Sequence, residues 1–140
     1  MHTGTRFGIL VVGLVASCAL TAEPASRWYS EEQVAAGRVL YQEHCAGCHG
    51  PNAEGTADWK KPRPDGKYPP PPLNGTAHAW HHRMSVLKRT IDRGGVPLGG
   101  WMPGFQGKFT EAEKEALIAF IQSHWPDEVY AAWVERGGLK

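Results

Sequence analysis

The sequence predicts an all-α fold, three to five helices joined by long Pro/Gly-rich loops, and three observations lead to it. Two capping boxes, Ser30-Glu31-Glu32-Gln33 and Thr110-Glu111-Ala112-Glu113, each open a segment with apolar residues at helical spacing. No run alternates apolar and polar residues as a half-buried strand does, and no internal repeat is visible. Third, the pentapeptide Cys45-Ala46-Gly47-Cys48-His49 gives the chain something other than a sheet to organise around.

Taken in order, the first helix is expected over about residues 31–44, with Val34, Gly37, Leu40 and Tyr41 along one stripe. The cysteine motif follows directly. Residues 51–75 read as loop: Pro51, Pro62, Pro64 and the run Pro69 to Pro72 lack the donor that a helix or central strand needs, and the run favours a stiff extended segment. About 25 residues of irregular chain is long for a compact domain, and wrapping a cofactor is one reason to keep it. A second helix is expected from near Thr76 to just before Gly94-Gly95, with Val86, Leu87, Thr90 and Ile91 on its apolar side. After a Gly/Pro-rich loop to Gly107, a third helix runs to about Ser123, its stripe being Leu117, Phe120 and Ile121. Pro126 suits the first turn of a short last helix carrying Tyr130 and Trp133.

Cys-x-x-Cys-His is the attachment signature of a c-type haem. Two thiols on one turn can each form a thioether to a haem vinyl group, and the next residue places an imidazole under the iron. A redox dithiol would sit near a βαβ pattern, and none is present. A structural zinc site usually wants four ligands, and the only other cysteine is Cys18, in an apolar leader. Cys45 and Cys48 are therefore expected to hold one covalent haem c, with His49 as proximal iron ligand.

Residues 1–22 read as an export signal: His2 and Arg6 precede the apolar run Ile9 to Ala16, and small residues follow at Ser17, Ala19 and Ala22. The run is too short to span a bilayer comfortably. Cleavage after Ala22 would release a protein starting at Glu23. Val15-Ala16-Ser17-Cys18 resembles a lipobox, in which Cys18 carries a lipid, and an odd cysteine in an exported chain asks for such an explanation. Either way residues 23–140 form one domain, with a core over 30–124 and a helical extension over 125–140, in the periplasm or on the outer face of the membrane.

The 140 residues carry 15 Lys and Arg against 14 Asp and Glu. Bulk charge thus predicts no nucleic-acid binding. Lys60, Lys61, Arg63, Lys67, Arg83, Lys88, Arg89 and Arg93 dominate the middle of the chain, whereas Glu111, Glu113, Glu115, Asp127, Glu128 and Glu135 dominate its end. Such polarity can steer a small protein onto a charged partner, or can be an ordinary solvated surface.

With Gly37 and Tyr41 one turn apart in the first helix and Leu117 and Phe120 in the last of the core, residues 30–124 resemble the class I monohaem c-type cytochromes. The segment Pro71 to His82 resembles a bacterial subgroup of them. The resemblance implies that the first and last helices cross at Gly37 and that much of the core is the porphyrin itself. It implies a sulfur ligand from a loop before the last helix, followed by proline. Of the three methionines, Met102 in Gly99-Gly100-Trp101-Met102-Pro103-Gly104-Phe105 matches, whereas Met1 lies in the leader and Met84 sits on a helical stripe as core filler. It also implies a proline carbonyl holding the proximal imidazole, either Pro71 or Pro72. Leu73, Trp80, Trp101 and Phe105 are expected at the pocket wall. His78, His81 and His82, at i, i+3 and i+4 of a helix, could be ordinary packed residues, bind a haem propionate, hold zinc or copper, or supply an iron ligand. His44 and His124 are expected to be structural.

His/Met ligation fills both axial positions, raises the potential and leaves no open site for oxygen chemistry. The expected function is one-electron transfer without catalysis. The donor would be a dehydrogenase or quinol-oxidising complex and the acceptor an oxidase or reductase. Two other readings are a haem subunit of a larger oxidoreductase, with Trp125, Tyr130 and Trp133 and the Pro-rich loop at a permanent interface, and a haem enzyme or gas sensor.

Overall fold

The computed structural model describes Met1 and residues 26–140. The export signal and Cys18 fall outside the described residues. Among the described residues there are five α-helices and no strand: α1 Glu31–His44, α2 Ala46–His49, α3 Met84–Arg93, α4 Glu111–Ser123 and α5 Asp127–Glu135. Single 3-10 turns lie at Ala79–His81 and Val96–Leu98. No described helix is long and apolar enough to cross a membrane.

Both capping boxes form. Ser30 accepts from the Gln33 amide while the Gln33 side chain takes the Ser30 amide, and Thr110 and Glu113 do the same. These local bonds satisfy donors that a helix start otherwise leaves bare. α1 packs chiefly on α4. Gly37 makes the crossing close: a Cβ there would lie 1.9 Å from the Ala116 carbonyl oxygen. One turn on, the Tyr41 ring sits 4.9 Å from that of Phe120. Leu117, Ala53 and Phe109 complete this first core cluster.

α4 is more enclosed than a single stripe. Ala116 to Phe120 are all buried, as are Lys114 and Gln122, while Ile121 is only half-buried. The reason lies on its far side. Trp28 donates its indole N–H to the Gln122 side chain at 2.6 Å, and Arg27 donates to the Gln122 and Trp125 carbonyls. The C-terminal extension closes over the same region. Trp125, Tyr130 and Trp133, with Ala79, form a second cluster against which Trp28, Tyr29, Trp80 and Met84 pack. These three aromatics are at most 2% exposed. They are internal to the domain and offer no interface to another subunit, contrary to the larger-complex expectation. Each also satisfies its polar end within the chain: Trp125 on the Leu73 carbonyl, Trp133 on the His82 carbonyl, and the Tyr130 hydroxyl by accepting from the Trp28 amide.

The second core helix starts at Met84 rather than near Thr76. Asn74 first forms a turn, its side chain accepting from the Thr76 amide and hydroxyl. A 3-10 turn follows, and His82 is extended. The tail captures the backbone there: His82 gives its carbonyl to Trp133, and the Met84 amide donates to the Gly138 carbonyl at 2.6 Å. His78, His81 and His82 therefore do not share one face of an α-helix. His78 lies against Trp59 and His82, and His81 lies edge-on to Trp80. No set of three or more metal-binding side chains is assembled among the described residues.

Candidate haem-binding site

α1 hands its last turn straight to the cysteine motif. The Cys45 amide caps α1 on the Tyr41 carbonyl, and the single turn α2 brings Cys45, Cys48 and His49 together. The Tyr41 hydroxyl donates to the Gly50 carbonyl at 3.1 Å, so the main α1–α4 contact residue also braces the end of the motif. Neither Cys45 nor Cys48 is in a disulfide; Cys45 is half-buried and Cys48 exposed. Burial, with Cys48 adding to it, pushes the Cys45 thiol up to about 11.

His49 is 8% exposed. Its Nδ1 lies 2.9 Å from the Pro71 carbonyl oxygen. A carbonyl can only accept, so Nδ1 carries the proton and donates, and Nε2 keeps a free lone pair. No described residue hydrogen-bonds Nε2. Burial lowers the imidazole pKa, and the Pro71 bond opposes that only in part. The ring is thus neutral and aimed, which is what a metal requires of it.

Of the two prolines left open by the sequence, Pro71 supplies the bond. Its place is set by residues 53–56 lying alongside 70–74. The Thr56 amide donates to Pro70, and the Leu73 and Asn74 amides both donate to the Ala53 carbonyl. The Gly55 amide donates to the His49 backbone carbonyl at 2.6 Å. Gly55 has φ +72, and a Cβ there would stand 2.3 Å from the Pro72 nitrogen. Gly55 and Ala53 are positioning residues that sequence reading did not single out; Gly55 was one signal among many glycines.

Met102 lies in a loop that closes on itself. The Gly95 amide donates to the Met102 carbonyl and the Gly100 amide to the Gly95 carbonyl, both at 2.9 Å. The loop's end returns to α3, with Phe105 and Gln106 donating to the Ile91 and Asp92 carbonyls. Gly94, at φ +67, passes so near the Met102 carbonyl that a Cβ would be 2.3 Å away.

Among the expected wall residues, Leu73 and Phe105 pack on the first core cluster, as Cys45 does. Trp80 does not: it joins the tail cluster, under the Arg136 guanidinium. Trp101 is 38% exposed and turns toward residues 63–65, donating to Asp65. In both cases a polar partner takes the aromatic's edge or face. Met84 packs in the tail cluster, as core filler.

α3 carries Met84, Val86, Leu87 and Ile91, yet none of its residues is buried. Met84 and Ile91 reach the two core clusters, whereas Val86 and Leu87 are only half-buried, and a planar macrocycle held at Cys45 and Cys48 is of the kind that would cover them. The donor set, two thiols and a neutral imidazole with a free Nε2, fits haem c.

Residues 34–125 match the family model for cytochrome c, and the chain belongs to that family. It is a c-type cytochrome: the family binds haem c covalently, uses its iron for electron transfer and works with redox protein partners, and Cys45 and Cys48 occupy the attachment position. No curated protein and no solved structure matches the chain.

Proposed function

We propose that the protein is a class I, single-haem bacterial electron carrier working outside the cytoplasm, with Cys45 and Cys48 in the thioether bonds and His49 and Met102 on the iron. The bond from His49 Nδ1 to Pro71 carries this reading, because it leaves Nε2 neutral, oriented and unshared. Bound there, the haem supplies a one-electron ferric/ferrous couple. The chain's own residues do the rest. Pro71 fixes the imidazole's tautomer and tilt, Met102 offers a soft sulfur from a loop pinned at both ends, and Leu73, Phe105 and the apolar side of α3 keep water away. With His49 and Met102 both holding the iron, the protein would pass charge and bind no small substrate there.

Donor and acceptor are proposed to be a dehydrogenase or quinol-oxidising complex and an oxidase or reductase. Residues 1–22 would direct export, with Cys18 as an alternative lipid attachment point. Lys88 is not available for docking, since it pairs with Glu111 and Glu115. Arg89 and Arg93 are exposed and make no ion pair among the described residues, so they are the α3 cations proposed to face a charged partner. The decisive measurement is the far-red sulfur-to-iron charge-transfer band of the oxidised protein. It should be present in the wild type, lost in Met102→Ala and kept in Met84→Ala. A wild type without the band overturns Met102 as ligand.

A further inference from the structure

Trp101 stands immediately before Met102, and its ring is held from two sides by one turn of the Pro-rich loop. Its Nε1 donates to Asp65 Oδ2 at 3.1 Å. The Arg63 guanidinium lies over the ring, 4.1 Å from its centroid. Arg63 and Asp65 are presented together because the turn closes on itself. The Arg63 amide donates to the Lys67 carbonyl, the Gly66 amide to the Arg63 carbonyl, and the Lys67 amide to Asp65 Oδ1. Asp65 thus uses one oxygen to shape its own turn and the other to hold Trp101. Within its own segment, the loop from Gly95 to Met102 is closed by backbone bonds alone. The grip on Trp101 ties it to chain 36 residues earlier.

We infer that Asp65 and Arg63 are positioning residues for the sulfur ligand, acting through Trp101 to keep the Met102 loop seated. The inference rests on Met102 being the iron ligand, as proposed above. An N–H bond to a carboxylate and a cation over an indole are each modest at an exposed site, but they act on one side chain adjacent to the ligand. Releasing them raises the fraction of time the sulfur is off the iron. They do not touch His49, whose orientation comes from Pro71.

The test is the rate at which imidazole added to the oxidised holoprotein replaces the sulfur, followed by loss of the charge-transfer band. Trp101→Ala and Asp65→Ala should both speed replacement by roughly tenfold. Asp65→Asn leaves one acceptor oxygen for two donors, the Trp101 indole and the Lys67 amide, and should fall between the wild type and Asp65→Ala. Arg63→Lys loses the flat stacking face and should fall between. Each rate is read beside the melting temperature, which reports a merely structural effect. Wild-type rates in both alanine variants would overturn the clamp while the band remains. Absence of the band from the wild type would instead remove the Met102 reading itself, and the clamp with it.

Discussion

The indole N–H of Trp125 donates to the carbonyl of Leu73 at 2.7 Å. Leu73 is two residues beyond Pro71, the acceptor for His49. A residue of the tail therefore steadies the strap that aims the proximal ligand. Trp125→Phe keeps most of the buried ring and deletes the donor. It should cost about 1 kcal/mol, seen as a lower melting temperature of the holoprotein, with the His49 ligation intact by absorption.

Gly37→Ala tests the helix crossing. The new methyl would be 1.9 Å from the Ala116 carbonyl oxygen, which is backbone and cannot swing aside. α1 and α4 must separate, at a cost of about 3 kcal/mol or more by the scale of overpacked cores. Denaturant unfolding of the holoprotein measures it. A loss near zero would show that the crossing is looser than described.

Gly55→Ala tests the strap. It meets both a left-handed backbone angle and the Pro72 nitrogen at 2.3 Å. Pro71 should be displaced from His49 and the imidazole left free to tilt. The expected result is a reduced yield of holoprotein and a shifted reduction potential in what is recovered, measured by haem content per protein and redox titration.

Glu111 links α3 and α4 by pairing with Lys114 and Lys88. Lys114 foremost, then Lys88, holds its carboxyl below the usual carboxylate range. A lowered folded-state pKa means that this stabilisation is complete above the ordinary carboxylate pKa and is lost as pH falls through the lowered value. Glu111→Gln should lower the melting temperature at neutral pH and flatten its decline on the acid side. Parallel melting curves of variant and wild type from pH 7 downward would refute the linkage.

The parts of this fold that could be read in advance are those decided by neighbours in the chain. α1 and α4 begin where their capping boxes stand because the caps are bonds across three residues. Cys45, Cys48 and His49 were recognisable because the attachment chemistry needs that spacing. The start of α3 was not legible, because Arg83 offers no side-chain cap and the boundary is imposed by Trp133 and Gly138 from the far end of the chain. The choice of Pro71 over Pro72 was closed to the sequence for a like reason, since it depends on the register between residues 53–56 and 70–74. The surroundings of Trp80 and Trp101 were closed to the sequence because an aromatic near a haem motif has several surfaces it could cover, and the contacts with Arg136 and Asp65 come from residues distant in the chain. The internal role of Trp125, Tyr130 and Trp133 was hidden because buried and interface aromatics look alike in one dimension.

That no residue of α3 is buried has a consequence for biogenesis. Before the pigment is attached, α1 and α4 can already clasp each other, whereas α3 is fastened more lightly, by Met84 and Ile91 and by its ion pairs to α4. The machinery that forges the two sulfur–carbon bonds would thus receive a half-closed book, its spine set and one cover still swinging, and the tetrapyrrole is the page that shuts it.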